Sequence, residues 1–325
     1  MMKAVSRRAA LAICASMMQR GLTAAENYPS HSVKIVVPFP AGGSNDIIAR
    51  ILAQKLSERT GQQFFVENRG GAGGNIGADA VAKSAADGYT LLVTAPPPLT
   101  TNAALYKSLP FNPETDFAPV ALLATVPIVL MVHPSVPAKN VQELVALAKA
   151  KPGTLNFGSS GIGTTNHLAG ELLKRMTGID IVHVPYKGAA PAMTDLIGRR
   201  IQLMFDNLAS SLVQIKAGKV RALAVTTAKR TELAPDLPTI AESGLPGFDI
   251  NTWFGLFVPA RTPPAIVQRL HDEFVKALET PEVRARMLAL GAEPVGSTPA
   301  QFAQYVQSEA AKYAKLVKAS GARAD

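Results

Sequence analysis

The sequence predicts an α/β protein built from two similar lobes, and three observations carry that prediction. At 325 residues the chain has the length of about two domains. Apolar runs alternate with amphipathic stretches through its first two-thirds, the rhythm of strand–helix–strand units with parallel sheets. An offset of 120 residues places Gly43 on Gly163, Ser44 on Thr164, Asp46 on Asn166, Ala49 on Ala169 and Leu52 on Leu172. One strand, glycine turn and amphipathic helix therefore occurs twice. Apolar residues make up 47% and charged residues 18%, a core-forming composition rather than a disordered one. No apolar run reaches the ~18 residues that span a bilayer, which excludes a polytopic membrane protein.

The first segment reads as an export signal over residues 1–25, which predicts a periplasmic location. Arg7 and Arg8 supply a positive start, Ala9 to Met18 an apolar stretch, and Leu22 to Ala25 small residues for cleavage. The pair after Ser6 is compatible with twin-arginine export. Cys14, the only cysteine, lies inside this leader. It follows Ile13, where a lipid-anchor signal carries a small residue. The mature chain thus has neither disulfide nor thiol nucleophile.

Val33 to Phe39 reads as a buried strand, followed by a glycine loop and a helix over Ile47 to Leu56. Gln63 to Asn68 is a second strand, the run NRGGAGGNIG a loop, and Ala78 to Ala85 a short helix. Tyr89 to Thr94 is a third strand, stopped by Pro96, Pro97 and Pro98. The rhythm restarts after Pro127 to Ser135. Asn140 with Glu143 caps the helix VQELVALAKA, and the strand LNFGSS leads through a Gly/Thr loop into the helix HLAGELLKRM. IVHVPY, IQLMFD and RALAVT are further strands with helical stretches between them. WFGLFVP (Trp253 to Pro259) is a late strand, and two helices follow from Pro264 and Pro299.

The chemistry open to this chain is narrow. A helix start preceded by glycine offers unpaired N–H groups and the positive end of the helix dipole, an anion site without a cationic side chain. Pro40 to Asp46 supplies Gly42, Gly43 and the Ser44 hydroxyl; Gly158 to Asn166 supplies Ser159, Ser160, Thr164 and Thr165. Either loop alone is also what an ordinary capped strand-to-helix turn looks like. The glycines of GSSGIG do not keep dinucleotide spacing, and no P-loop occurs, so no nucleotide cofactor is expected. Among His31, His133, His167, His183 and His271 no pair has metal-ligand spacing, and no metal is expected. Ser160, His167 and Asp206 make a conceivable hydrolase triad, but no G-x-S-x-G elbow supports it. His167 reads instead as a packing or capping residue. Asp206 ends a strand, where ligands meet α/β sheets; it either serves the ligand or caps the next turn. Trp253 reads as a core residue, with a cleft-lining role as the alternative. The net charge of +9 falls to +5 once Lys3, Arg7, Arg8 and Arg20 leave with the leader. No basic stripe with interleaved aromatics exists, so no nucleic-acid partner is expected.

Eight blocks then carry a resemblance: VPFPAGGSNDIIAR, ENRGGAGGNIGA, DFAPVALL, HLAGELL, VHVPYKGAAPAMTDLIG, AGKVRALAVTT, PTIAESG and WFGLFVPA. In this order and spacing the chain resembles the Bug family, the extracytoplasmic solute receptors of tripartite tricarboxylate transporters. The resemblance implies a two-lobed periplasmic binding protein of type II-like architecture. Each lobe would be a mixed, mostly parallel sheet flanked by helices, with the ligand cleft between the lobes. It implies a small carboxylate ligand, membrane transporter subunits as partners, a monomer and no enzyme activity. The implied ligand-binding residues are Phe39, Ala41, Gly42, Gly43 and Asp46 on one side, and Ser160, Gly161, Thr164, Thr165 and Asp206 on the other. Lobe one is expected over 28–126 plus 251–325 and lobe two over 127–250, with the two crossings as hinge. A sensor subunit feeding a membrane kinase is the alternative that shares this pocket; an α/β hydrolase is the third reading.

Overall fold

Two mixed sheets organise the chain, and the computed structural model describes residues 28–321 and 323. The export signal read at residues 1–25 lies outside the described residues. Eleven strands are numbered in chain order. β1 (Val33–Val37), β2 (Phe64–Asn68), β3 (Thr90–Thr94), β4 (Phe117–Val126), β10 (Thr252–Pro259) and β11 (Glu293–Pro294) form one sheet. Its order is β11-β4-β10-β3-β1-β2. The other holds β5 (Ile128–Val132), β6 (Asn156–Ser159), β7 (Val182–Pro185), β8 (Leu203–Asn207) and β9 (Arg221–Val225), in the order β7-β6-β8-β5-β9. In each sheet a parallel triplet (β2-β1-β3 and β7-β6-β8) holds the site end, and the antiparallel pairs fall where the chain changes sheets.

The central strands are buried on both faces, as β1 and β5 show, and the period of two decides which core each side chain joins. Ile128, Leu130 and Val132 of β5 enter one apolar cluster; Val129 and Met131 enter the cluster on the opposite face. Val33, Ile35 and Val37 of β1 face α1 (Ser44–Thr60), while Val36 faces the cluster around Trp253. Trp253 is fully buried among Phe257, Phe302 and Tyr305, the core role read for it. The remaining helices are α2 (Asn75–Ala82), α3 (Asn102–Leu105), α4 (Val141–Ala150), α5 (Thr165–Thr177), α6 (Ala189–Ile197), α7 (Leu208–Lys216), α8 (Pro264–Glu279), α9 (Pro281–Ala289) and α10 (Pro299–Ser320).

Three features depart from the sequence reading. β4 is a ten-residue strand that the pattern did not announce, because Pro119 breaks its run. That proline sits where the register with β10 slips, a position that dispenses with a ladder N–H. α9 is separate from α8: its buried face is only Val283 and Met287, too little periodicity to stand out. The segment 251–325 is not confined to one lobe. α10 starts on a Thr298–Gln301 capping box with Phe302 against Trp253, and about 33 Å of helix then carries Tyr313 and Leu316 into the second lobe's core.

Gly255 on β10 shows how tightly β10 meets α10. An added Cβ would lie 2.1 Å from Phe302 Cζ, and that ring is held between Phe257, with centroids 4.9 Å apart, and Trp253. Gly255→Ala is therefore expected to destabilise the fold by about 1–3 kcal/mol, seen as a lower urea midpoint. The double variant Gly255→Ala/Phe302→Leu should recover part of the loss; an unchanged midpoint in the single variant would refute the contact.

Candidate functional site

Parallel strands end together, so the loops that follow them gather on one side of each sheet. In the first lobe these are 38–43 after β1, 69–74 after β2 and 95–101 after β3; in the second, 160–164 after β6, 186–188 after β7 and the start of α7 after β8.

The loop before α1 is shaped by Asp46. Gly42, at φ 85°, donates its N–H to Asp46 Oδ2 at 2.9 Å. Asn68, the last residue of β2, donates Nδ2 to Asp46 Oδ1 at 3.0 Å and to the Phe39 carbonyl at 3.1 Å. Arg50 closes the ring, with Nε on Asp46 at 2.9 Å and Nη2 on Asn68 Oδ1 at 2.9 Å. Burial alone would raise the Asp46 carboxyl; the bonds from Arg50, Gly42 and Asn68 overcome it and hold it below the usual range. Asp46 is thus a charged group facing inward, its charge met by Arg50. The helix start itself has no side-chain cap, because its N-cap is Gly43. The amides of its first turn have no acceptor within the helix. Asn45 turns inward, with Nδ2 on the Val93 carbonyl at 3.1 Å. Ser44 is half-buried, and its hydroxyl has no partner among the described residues.

The loop before α5 is closed differently, by its own cap and two histidines. Thr164 Oγ1 accepts from the His167 N–H and donates to the Gly161 carbonyl at 2.8 Å. Gly161 N–H donates to Ser159 Oγ at 3.2 Å, and that oxygen lies 2.7 Å from His183 Nε2. Gly163 N–H donates to His167 Nδ1 at 3.1 Å, so the proton of this imidazole sits on Nε2. The two rings stack at 3.9 Å. Burial pushes His167 down to about 3, helped by His183 and Lys174, and His183 down to about 4, helped by Lys174. Both are neutral. His167 therefore packs and braces its own helix start, as read from the sequence.

Asp206, at the end of β8, is buried below that helix. Asn166 Nδ2 donates to its Oδ1 at 3.1 Å, and Ser210 and Ser211 hydroxyls reach its Oδ2 at 3.2 and 3.4 Å. The two lobes thus repeat one device with its members exchanged. In lobe one the acid is on the helix and the amide ends the next strand (Asp46, Asn68). In lobe two the amide is on the helix and the acid lies one residue from the end of β8, the other parallel neighbour of β6 (Asn166, Asp206).

Several expected site residues therefore have other work. Gly42 and Gly161 spend their N–H groups inside their own loops, Asp46 and Asp206 face inward, and Thr165 is buried beside the Tyr313 phenol of α10. Phe39 is partly buried, Ala41 and Gly43 are exposed, and Ser160 and Thr164 are half-buried at the mouth of their loop. Lys187 is exposed on the loop after β7. Asn68, the bracing role of His183 and the α3 segment escaped the sequence reading. Asn68 ends a strand directly before the glycine run, a signal that was visible; the partners of the others lie far away in sequence. Asn102 of α3 donates Nδ2 to the Gly73 carbonyl and to Asn75 Oδ1, while Leu105, one turn on, abuts Gly163. α3 therefore touches both loop systems. Two cavities, of about 700 Å³ beside α10 (Phe117, Phe257, Val306) and about 520 Å³ beside β11 (Arg230, Arg284, Glu293), are lined by no residue of either glycine loop. Among the described residues no cluster of three His, Cys, Asp or Glu is placed to hold a metal.

Burial raises the Asp206 carboxyl to about 6, against the bonds from Asn207, Ser210, Asn166 and Ser211. An acid raised on folding contributes stability that is complete below its unfolded value of 3.8 and lost as pH rises through about 6. The loss is on the order of 3 kcal/mol between pH 3.5 and pH 7.5. Asp206→Asn should lack this component, so urea unfolding of variant and wild type at the two pH values should diverge by that amount in favour of the variant at pH 7.5. Parallel pH dependence of the two proteins would contradict it.

Comparison with known proteins follows the same lines. Residues 48–322 match the model of the tripartite tricarboxylate transporter family receptor. The chain is 41% identical over 317 residues to a UPF0065 protein from the tcbD-tcbE intergenic region of Pseudomonas sp. (strain P51), covering 96% of this chain and 94% of that one. It is 39% identical over 300 residues to BugT of Bordetella pertussis, covering 92% of each. Among solved structures it resembles R. palustris Rpa4515 with adipate, at 42% identity and a TM-score of 0.81, covering 90% of this chain and 98% of that one. With that fold, these paired loops and a family match across most of its length, the chain belongs to the tripartite tricarboxylate transporter receptors of the Bug type, periplasmic solute-binding proteins and not enzymes.

Proposed function

We propose that this receptor takes one carboxylate of its ligand on the uncapped start of α1, with the loop before α5 closing over it from the second lobe. The observation that carries this reading is the contrast between the two helix starts. α5 caps itself through Thr164, whereas α1 begins at Gly43 with no side chain over its first-turn amides. The Arg50 guanidinium is committed to Asp46 and Asn68, so an anion there is held by neutral donors: the amides of Gly43 and Ser44, and the Ser44 hydroxyl. From the second lobe Ser160 is the corresponding free hydroxyl. Asp46 and Asp206 act through the loops they shape, without touching the ligand.

Closure is proposed to turn on the two chain crossings, at Pro127 and at 250–252. They run side by side: Thr252 pairs with Val126, and Ile250 N–H donates to the Thr226 carbonyl, itself one residue beyond β9. α10 spans both cores and α3 touches both loop systems, which limits the motion to rotation about that edge. The proposal includes export with loss of residues 1–25, action as a monomer, and delivery of the ligand to the transporter's membrane subunits.

Calorimetric titration with candidate carboxylates tests the anion site. A hydrogen bond to a charged acceptor contributes roughly 1.5–3 kcal/mol, so Ser44→Ala should weaken binding about tenfold or more. Lys187→Met should change it less than threefold. Loss of binding in Lys187→Met with Ser44→Ala unaffected would replace the neutral-donor site by an ion pair.

A further inference from the structure

We propose that Ile76 and Ile162 form a two-sided apolar clamp that selects a carboxylate with a hydrocarbon body over one carrying hydroxyls or a second charge close to the first. This rests on the carboxylate-receptor reading above and names the kind of carboxylate.

Both side chains are large, apolar and half in water: Ile76 is 56% exposed and Ile162 51%. Other apolar side chains are exposed too, Val213 on α7 most of all, but scattered singly such residues need no explanation. What sets this pair apart is placement. Ile76 sits in the first turn of α2, directly after the glycine loop that follows β2. Ile162 is the tip of the glycine loop that follows β6. α3, about 6 Å long, joins the two places: Asn102 bonds to Asn75 Oδ1 at 2.7 Å, next to Ile76, and Leu105 fills the space over Gly163, next to Ile162. One isoleucine thus stands on each lobe at either end of the same short helix.

Glycine backbone makes room for Ile76 and for Leu105. Gly71 has φ 127°, and a Cβ there would lie 2.6 Å from Ile76 Cδ1; a Cβ on Gly163 would lie 2.2 Å from Leu105 Cδ1. Phe39 and Pro98 continue the apolar lining, since a Cβ on Gly74 would meet Pro98 Cγ at 2.7 Å and Phe39 Cζ at 3.3 Å. Neither 38–46 nor 158–166 contains Lys or Arg, and the exposed Lys187 lies on the separate loop after β7. Arg50 is held by Asp46 and Asn68, and Arg69 by Glu67. A ligand whose first carboxylate sits on α1 therefore meets isoleucine, phenylalanine and proline next. Closing these on methylenes removes apolar surface from water on both sides; closing them on hydroxyls or a nearby second charge strips polar groups without replacing their bonds.

The test is calorimetric titration of the exported protein with the straight-chain dicarboxylates from butanedioate to octanedioate, and with citrate. In the wild type, affinity should rise about fourfold for each methylene buried, and citrate should bind at least tenfold more weakly than the best chain. Ile76→Ser and Ile162→Ser lie on the surface and leave the fold intact. Each should cost about tenfold on the longer acids, leave butanedioate within twofold and flatten the dependence on chain length. Citrate binding as tightly as the best dicarboxylate, or variants that keep the wild-type profile, would overturn the clamp while leaving the carboxylate receptor standing. Failure of the folded wild type to bind any acid in the series would overturn both.

Discussion

One carboxylate–carboxamide contact at the start of each site helix governs everything around it. Asp46 with Asn68, at 3.0 Å, and Asn166 with Asp206, at 3.1 Å, each tie the first turn of a helix to the end of the neighbouring parallel strand. A glycine loop held at only two chain ends would sample many conformations, at roughly 1–2 kcal/mol of entropy for each residue that a ligand then had to order. Pinned to the sheet through a buried side chain, the loop is presented ready-made. Exchanging acid and amide between lobes changes the electrostatics, however. In lobe one the acid lies at the positive end of α1 and pairs with Arg50, leaving a locally neutral bracket. In lobe two the acid sits at the strand end with amide and hydroxyl partners only, and its carboxyl is pushed up to about 6 by burial.

The asymmetry extends to the amides. α5 is capped: Thr164 accepts from the His167 amide, and His167 and Ser159 engage the loop amides of Gly163 and Gly161. Two imidazoles suit this task because, stacked and shielded from water, they stay neutral, so that His167 accepts the Gly163 N–H while His183 meets the Ser159 hydroxyl. α1 leaves its first turn unanswered. Matched sequence motifs therefore differ in structure: the start of α5 carries a side-chain cap and the start of α1 does not. At the proposed anion site dipole, amides and hydroxyls would supply the attraction, because Arg50 is bonded to Asp46 and Asn68 and Arg69 to Glu67.

Two elements bridge the lobes. α10 lays Phe302 into one core and Tyr313 into the other, and α3 presses on both loop systems from the mouth of the site.

Much of this was written in the chain. Period-two burial in β1 and β5, glycines where the backbone turns left-handed, and the 120-residue correspondence follow from local chemistry, so the lobes, their strands and the two helix starts were legible from the residues, and the blocks carrying the resemblance supplied the family. β4 and α9 were hidden because a proline and a thin apolar face erase periodicity without preventing pairing or packing. The functional detail was hidden for another reason. Whether Gly42 or Gly43 offers its amide depends on Asp46 being bonded to Asn68 from another strand; whether Thr165 faces a ligand or Tyr313 depends on a helix that begins more than a hundred residues later. Local sequence determines which groups can donate, but a donor is free only if no distant partner reaches it, and long-range packing alone decides that.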